Sequence, residues 1–278
     1  MTKHVGKCAL CGRVTTLTFE HIPPEAAYNR SPVKPVQGTI LLSNQERLPW
    51  ETKGLRYENQ QRGLGMYSLC NECNNNTGSW YGSAFNEFAW VSNSAIKNLS
   101  REDNESICIK ELRPNQIIKQ VLSMFCSILP REDENFDDLR IFVLNRDSVG
   151  IDREKYKICM YFTDSTLMKY TGLTAINKMS ESLDSFEFQY LSEITAYPFG
   201  FLLYYKPKPK WDFQGTDITD FAFCKYDDVA TITMPWKVFE VNNMFPEDYR
   251  TKEEILECIE KNRTYNKKNG VYITDLTT

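Results

Sequence analysis

Two short segments, Cys8-Ala9-Leu10-Cys11-Gly12 and Cys70-Asn71-Glu72-Cys73, decide how the first part of this chain folds. Each is a Cys-x-x-Cys pair, which presents two sulfurs on one side of a tight turn, and the glycine after Cys11 lets the turn close with a positive φ angle. Four such thiolates complete a tetrahedral zinc shell. The spacing therefore predicts one structural zinc ion bound by Cys8, Cys11, Cys70 and Cys73. Two unrelated cysteine pairs, or a redox pair, are the alternatives.

A strand is predicted between the two cysteine pairs. Residues 15–24 read Thr-Thr-Leu-Thr-Phe-Glu-His-Ile-Pro-Pro, in which β-branched and apolar residues alternate until the double proline ends the run. This pattern places Glu20 and His21 at the end of the strand. Because adjacent strand residues point to opposite faces, the two side chains serve one site only if the strand bends or ends there.

A long helix is predicted directly after the second pair, because apolar residues recur at helical spacing from Tyr81 to Leu99. The helix is rich in aromatic residues and has Lys97 as its only base, so we expect it to pack against a second domain rather than lie in a DNA groove. Asn74 follows Cys73 and stands at the beginning of this helix.

This order of knuckle, strand ending in Glu-His, long loop, Cys-x-x-Cys-Asn and helix resembles the zinc-stabilised HNH (His-Me finger) endonucleases. The similarity covers about the first third of the chain. It implies that His21 is the general base, that Glu20 and Asn74 bind a catalytic Mg²⁺ or Mn²⁺, and that the cysteines hold structural zinc. The family usually has Asp at the position of Glu20. Asn59, in the long loop, is the candidate for the middle residue of the motif.

The chemistry of phosphodiester hydrolysis gives this resemblance a physical reason. The reaction needs a base to take a proton from water and a hard cation to neutralise the charge that develops on the phosphate. A neutral imidazole, with an ordinary pKa of about 6.5, can be that base at neutral pH. Oxygen ligands such as those of Glu20 and Asn74 suit Mg²⁺, whereas thiolates suit zinc.

The resemblance implies a Mg²⁺-dependent endonuclease acting on DNA, with RNA left open as a substrate. Chains of this length in the family often resemble effectors of phage defence or of mobile elements. The alternative is a non-catalytic zinc-finger binding module with a degenerate HNH fold, in which Glu20 and His21 only form hydrogen bonds. Fold by itself does not separate these two functions.

Length and composition describe an ordinary globular protein. The chain has 278 residues, of which 41% are hydrophobic and 25% charged, and this length predicts about two domains. No apolar run approaches the roughly 20 residues of a membrane span, and no signal peptide is evident, so we expect a cytoplasmic protein with no membrane partner. We interpret the five cysteines outside the two pairs as buried free thiols.

Charge is distributed unevenly along the chain. Residues 1–80 carry nine basic and six acidic side chains, a net charge of +3, although the whole chain has a net charge of −4. A weakly positive front on an acidic body is compatible with a module that contacts a few phosphates, and a solvated surface explains it almost as well.

The polar stretch 100–105 is the predicted domain boundary. It separates a zinc-stapled ββα finger with its aromatic helix, at residues 1–100, from an α+β domain with a mostly antiparallel sheet, at residues 105–278. We expect the second domain to recognise a substrate, a signal or a partner protein, or to form a homo-oligomer. Its predicted helices are 114–128 and a capped helix after Thr251. Its predicted strands are 106–110, 139–144, 156–162, 186–194, 199–205 and 229–233. A further short strand is predicted at 37–42.

Overall fold

The computed structural model describes residues 3–42, 47–57, 59–98, 106–177 and 187–268. These residues form a mixed α+β fold whose sheets are antiparallel, which confirms the predicted fold class. The strands are β1 (Val5–Lys7), β2 (Val14–His21), β3 (Gly65–Cys70), β4 (Ser106–Leu112), β5 (Tyr156–Phe162), β6 (Lys169–Asn177), β7 (Phe188–Ala196), β8 (Phe199–Tyr205), β9 (Thr216–Asp217) and β10 (Ala230–Pro235). The α-helices are α1 (Gly38–Leu42), α2 (Asn71–Asn98), α3 (Pro114–Ile128), α4 (Asp137–Leu144) and α5 (Lys252–Lys268).

The part of the chain described between residues 3 and 98 is here called the finger. Its sheet has the order β1-β2-β3, and α2 begins at Asn71, directly after β3. The pairing of β2 with β3 runs from Leu17 opposite Cys70 to His21 opposite Gly65, with a one-residue shift after Thr18. The predicted order of two strands followed by a helix is therefore present, and β2 delivers Glu20 and His21 to its last two positions.

The part described between residues 106 and 268 is here called the body. It contains a five-stranded sheet of order β6-β7-β8-β5-β9 and a two-stranded sheet of order β10-β4. Helix α3 has buried residues at every position from Pro114 to Ser127, so it forms the centre of the core. Thr251 and Glu254 form the predicted capping box of α5, since each backbone N–H donates to the other side chain, at 2.8 and 3.2 Å.

Finger and body share one continuous hydrophobic core through α2. The ring of Phe88 stacks on that of Phe199 in β8, with centroids 4.6 Å apart, and the Tyr81 hydroxyl donates to the carbonyl of Val143 at 2.7 Å. The aromatic helix therefore packs against the body, as its composition predicted. Independent folding of residues 105–278 stays a prediction.

Two predicted strands are helices. Residues 37–42 contain α1, and residues 139–144 lie in α4. In the second case Leu139, Phe142 and Val143 are buried at helical spacing, whereas Ile141 is 65% exposed, so the apolar run has a period near 3.6 rather than 2. Strand β6 was not predicted. None of the helices within the described ranges is both long and apolar enough to cross a bilayer.

Candidate metal centre

The four cysteines of the two pairs converge on one point. Cys8 and Cys11 lie on the turn between β1 and β2, Cys70 ends β3, and Cys73 lies in the first turn of α2. Their four sulfurs all lie within 4.8 Å of one another, and the sulfurs of Cys11 and Cys70 are 3.8 Å apart. Tetrahedral zinc with Zn–S bonds of about 2.3 Å requires sulfurs about 3.8 Å apart, so the cluster fits a structural metal such as zinc.

The backbone around the cluster is arranged to support thiolates. Gly12 has φ +71°, as the knuckle required, and its N–H donates to the carbonyl of Cys8 at 3.0 Å. The N–H of Cys70 donates to the sulfur of Cys8 at 3.2 Å, and that of Cys73 donates to the sulfur of Cys70 at 3.5 Å. These donors, one of them in the first turn of α2, favour negative charge on the sulfurs.

Arg13 supplies a positive charge beside the cluster, and the sequence analysis did not identify it. Its Nε donates to the sulfur of Cys11 at 3.3 Å, and its guanidinium forms an ion pair with Glu72. These contacts raise the pKa of Arg13, the hydrogen bond to Cys11 being the largest cause. A zinc ion with four thiolates carries two net negative charges, which a guanidinium partly offsets. The sequence signal that could have identified Arg13 is its place two positions after Cys11.

The pKa values of Cys8 and Cys73 move in opposite directions because their sulfurs interact. The pKa of Cys8 is lowered to about 4, first by a hydrogen bond from Cys73, while the pKa of Cys73 is raised, first by that same bond. Cys8, Cys70 and Cys73 are at most 5% exposed. Four thiolates packed this closely repel one another, and a divalent cation at their centre removes that repulsion.

Glu20 lies near the end of β2, and its buried carboxylate has no partner in the part of the chain that the structure describes. It is 6% exposed, and it forms no side-chain hydrogen bond or ion pair with any residue that the structure describes. Burial raises the pKa of Glu20 to about 8. A buried acid without a hydrogen-bond donor or a positive neighbour is costly, and either a proton or a bound cation neutralises it.

His21 is half-buried at the end of β2, and one of its ring nitrogens is held by a hydrogen bond. Nε2 lies 2.9 Å from the carbonyl oxygen of Arg62, which can only accept, so Nε2 carries the hydrogen. In the neutral imidazole Nδ1 is then unprotonated and is free to accept a proton. The edge of the His21 ring meets Phe19, with centroids 5.1 Å apart.

Asn74 joins the first turn of α2 to β2. Its Nδ2 donates to the hydroxyl of Thr18 at 3.0 Å and to the carbonyl of Phe19, the residue before Glu20, at 3.3 Å. The amide nitrogen is thereby used to dock the helix on the strand, and the amide oxygen, Oδ1, remains as a potential ligand. The structure therefore brings Asn74 to the segment of β2 that carries Glu20 and His21.

Asn59 and Asn29, two asparagines of the long loop, differ in their burial and in their contacts. Asn59 is exposed, and no contact among the described residues joins it to the Glu20–His21 segment. Asn29, which the sequence analysis did not identify, is 1% exposed; its amide donates to the carbonyls of Pro23 and Leu64, at 2.6 and 2.7 Å, and accepts from the N–H of Leu64 at 2.7 Å. Asn29 thus ties the chain after His21 to the chain after Arg62. Because these bonds join residues that are distant in the chain, no local sequence pattern signalled them.

Scans against protein-family models, curated proteins and solved structures found no match to this chain. The geometry gives two separate features in the finger: a four-cysteine centre compatible with zinc, and the end of β2, which carries Glu20 and His21 and accepts hydrogen bonds from Asn74 of α2 at Thr18 and Phe19.

Proposed function

We propose that this protein is a metal-dependent endonuclease that hydrolyses phosphodiester bonds of nucleic acid, with DNA as the first substrate to test. His21 is the general base, Glu20 and Asn74 bind Mg²⁺ or Mn²⁺, and the four-cysteine centre holds structural zinc. The observation that carries the proposal is the hydrogen bond from Nε2 of His21 to the carbonyl of Arg62, at 2.9 Å. It holds the imidazole in the tautomer in which Nδ1 can remove a proton from water.

The donor set near His21 fits a hard cation. Glu20 is a buried carboxylate with no positive partner among the described residues, and Oδ1 of Asn74 is a neutral oxygen ligand on α2, whose amide nitrogen donates to the carbonyl of Phe19, the residue before Glu20. A bound Mg²⁺ or Mn²⁺ would neutralise charge that develops on the phosphate during hydrolysis. Ionised Glu20 holds the cation, and Asn29 keeps the Arg62 segment in place beside the imidazole.

Cleavage assays with His21→Ala test the proposal. Wild type and variant are incubated with supercoiled plasmid, single-stranded DNA and RNA, with Mg²⁺, with Mn²⁺ and without added divalent cations, and zinc content is measured in every sample. We expect wild type to cleave only with the added cation and His21→Ala to lose roughly 100- to 10,000-fold in rate, because the variant lacks its base. Equal cleavage by both proteins at equal zinc content would contradict the proposal.

A paired set of variants tests the assignment of the cation ligands. Asn74→Ala should raise the Mg²⁺ concentration needed for half-maximal cleavage, because an oxygen ligand is lost. Asn75→Ala is the matched control, since Asn75 lies on the same helix and is exposed. An unchanged Mg²⁺ requirement in Asn74→Ala would remove Asn74 from the site while leaving the test of His21 intact.

One observation favours the second candidate function, a non-catalytic zinc-finger binding module. Glu20 and His21 alternate along β2, and Glu20 is only 6% exposed, so the two side chains do not project together into solvent. In a binding module, Glu20→Gln would leave every activity unchanged, and no combination of substrate and cation would give cleavage dependent on His21.

A further inference from the structure

Four aromatic rings on the finger form a continuous row that ends at His21. His4 stacks on Tyr67 with ring centroids 3.6 Å apart and planes 14° apart. Tyr67 meets Phe19 edge-on at 5.5 Å, and Phe19 meets His21 edge-on at 5.1 Å. We call His4, Tyr67, Phe19 and His21 the aromatic row. Its last member is the proposed base, so a ligand lying along the row would reach the proposed reaction site.

Strand pairing explains why these rings share one face. Phe19 and His21 are two residues apart on β2 and so point to the same side, and Phe19 lies opposite Tyr67 on β3. Gly65 lies opposite His21, and a Cβ at that position would come within 2.7 Å of the Phe19 ring and 2.2 Å of the Glu20 carbonyl. Gly65, which has no side chain, therefore provides room for the ring of Phe19.

The row is open to solvent at its outer end and is flanked by positive charge. Tyr67 is 42% exposed and His4 is exposed. Arg131 donates from Nη2 to the carbonyl of Tyr67 at 2.8 Å. Lys3, next to His4, and Arg62, next to His21, are exposed, and neither has a carboxylate partner in the described part of the chain. Glu132, the residue after Arg131, forms an ion pair with Lys7 at 2.6 Å, so its negative charge is offset.

We propose that the aromatic row binds the bases of unpaired nucleic acid and that single-stranded DNA or RNA is the substrate class of the His21 site; this inference rests on the proposed function. Aromatic rings stack on base faces, and those faces are accessible in single strands but covered by neighbouring bases in a duplex. Cations at both ends of the row suit the phosphates that connect stacked bases.

Fluorescence anisotropy of labelled oligonucleotides of about 20 nucleotides, a length that covers one binding site, tests the inference. Single-stranded DNA, single-stranded RNA and a blunt DNA duplex are titrated at one fixed salt concentration, without added divalent cations, so that zinc is retained and cleavage does not interfere. We expect wild type to bind the single strands more tightly than the duplex. Tyr67→Ala should weaken single-strand binding by roughly 5- to 150-fold, the range for loss of one stacked base, whereas Tyr67→Trp should retain it.

Two further variants protect the test from effects on folding. Tyr190→Ala is the matched control, because Tyr190 is 45% exposed on a strand of the body and should bind like wild type. His4→Ala removes the other stacked ring at little risk to folding, because the contact of His4 with β2 is made by its backbone carbonyl, which accepts from Leu17 at 2.7 Å. Zinc content and circular dichroism are recorded for every variant.

The outcomes separate this inference from the proposed function. Duplex binding as tight as single-strand binding would overturn the inference, as would unchanged binding in both Tyr67→Ala and His4→Ala. Single-strand binding that depends on Tyr67, without cleavage under any cation, would support the inference and contradict the nuclease. Cleavage of duplex DNA that depends on His21 but not on Tyr67 would support the nuclease and overturn the inference.

Discussion

Glu193 in the body and Glu20 in the finger are both buried carboxylates, yet their surroundings differ completely. Glu193, which is 0% exposed, pairs with Lys169 at 3.1 Å and accepts from the hydroxyls of Tyr161 and Tyr249 at 2.6 and 3.2 Å. The N–H of Glu247 donates to its second oxygen at 3.2 Å. Glu20 has no such partner among the described residues. The body neutralises its buried acid with its own side chains, whereas the described residues of the finger provide Glu20 with neither a hydrogen-bond donor nor a positive neighbour.

Buried cations in the body follow the same rule. Lys119 is 0% exposed, and its Nζ donates to the carbonyls of Asn145 and Arg146, at 2.7 and 2.8 Å, and to the hydroxyl of Ser148 at 3.0 Å. Burial lowers the pKa of Lys119 to about 8. The protein itself satisfies these buried charges of the body, whereas the four-cysteine cluster of the finger is compatible with a structural metal and Glu20 is the carboxylate for which we propose a bound cation.

The largest expected effect comes from removing the zinc. Cys70→Ser should lose the metal and leave the finger unfolded, because a structural zinc contributes about 10–16 kcal/mol, more than the net stability of a typical domain. Cys159→Ser, a buried cysteine of the body, is the control and should retain one zinc per chain. Elemental analysis and circular dichroism measure both. A zinc content in Cys70→Ser equal to that of wild type would contradict the four-cysteine centre.

The next prediction concerns Glu193, the buried acid of the body that pairs with Lys169. Glu193→Ala should destabilise the protein by about 3–5 kcal/mol in urea unfolding, because Lys169, itself 7% exposed, is left as an unpaired buried charge. Glu257→Ala removes the acid of an exposed ion pair with Lys261 and should cause no resolvable change. If Glu193→Ala unfolds at the same urea concentration as wild type, the buried network does not stabilise the body.

The third prediction, an effect confined to part of the pH range, concerns the ionisation of Glu20. The folded-state pKa of Glu20, about 8, lies above its ordinary value of 4.5, so the folded state binds more protons than the unfolded state between these pH values. Its contribution to stability is therefore fully present below about pH 4.5 and is lost as pH rises through about 8. One pKa unit corresponds to about 1.4 kcal/mol, so the loss amounts to a few kcal/mol.

The difference in unfolding free energy between wild type and Glu20→Gln, measured from pH 5 to 9 at constant zinc content, isolates this contribution, because effects of pH on the zinc centre are common to both proteins. Wild type should lose stability relative to Glu20→Gln as pH rises, and added Mn²⁺ should reduce the loss. A difference that does not change with pH would mean that Glu20 has a counter-charge.

Features encoded by local spacing could be predicted from the sequence. The two Cys-x-x-Cys pairs, the alternating residues of β2 and the helical stripe of α3 each carry their own period, and each was found where the sequence placed it. The apolar run of α4 was misassigned because a short β-branched segment satisfies both periods until burial decides between them. Strand β6 was missed because it contains Gly172 and a register shift between Thr171 and Thr174, which obscure alternation.

The candidate site was only partly predictable, for a different reason. Sequence motifs identified Glu20, His21 and Asn74, but the properties that give them chemical meaning depend on residues distant in the chain. The tautomer of His21 is set by the carbonyl of Arg62, and the loop is held by Asn29 through Leu64. The absence of a described partner for Glu20 is a property of its packed surroundings, which no local pattern encodes.

Titration of MnCl₂ into zinc-loaded protein, followed by calorimetry, tests most directly the claim that the finger requires a second cation at Glu20. We expect one Mn²⁺ site per chain in wild type and an affinity weakened by more than about tenfold in Glu20→Gln. Glu257→Gln, which changes an exposed acid of the body, should bind like wild type. Equal Mn²⁺ binding by wild type and Glu20→Gln would contradict the claim.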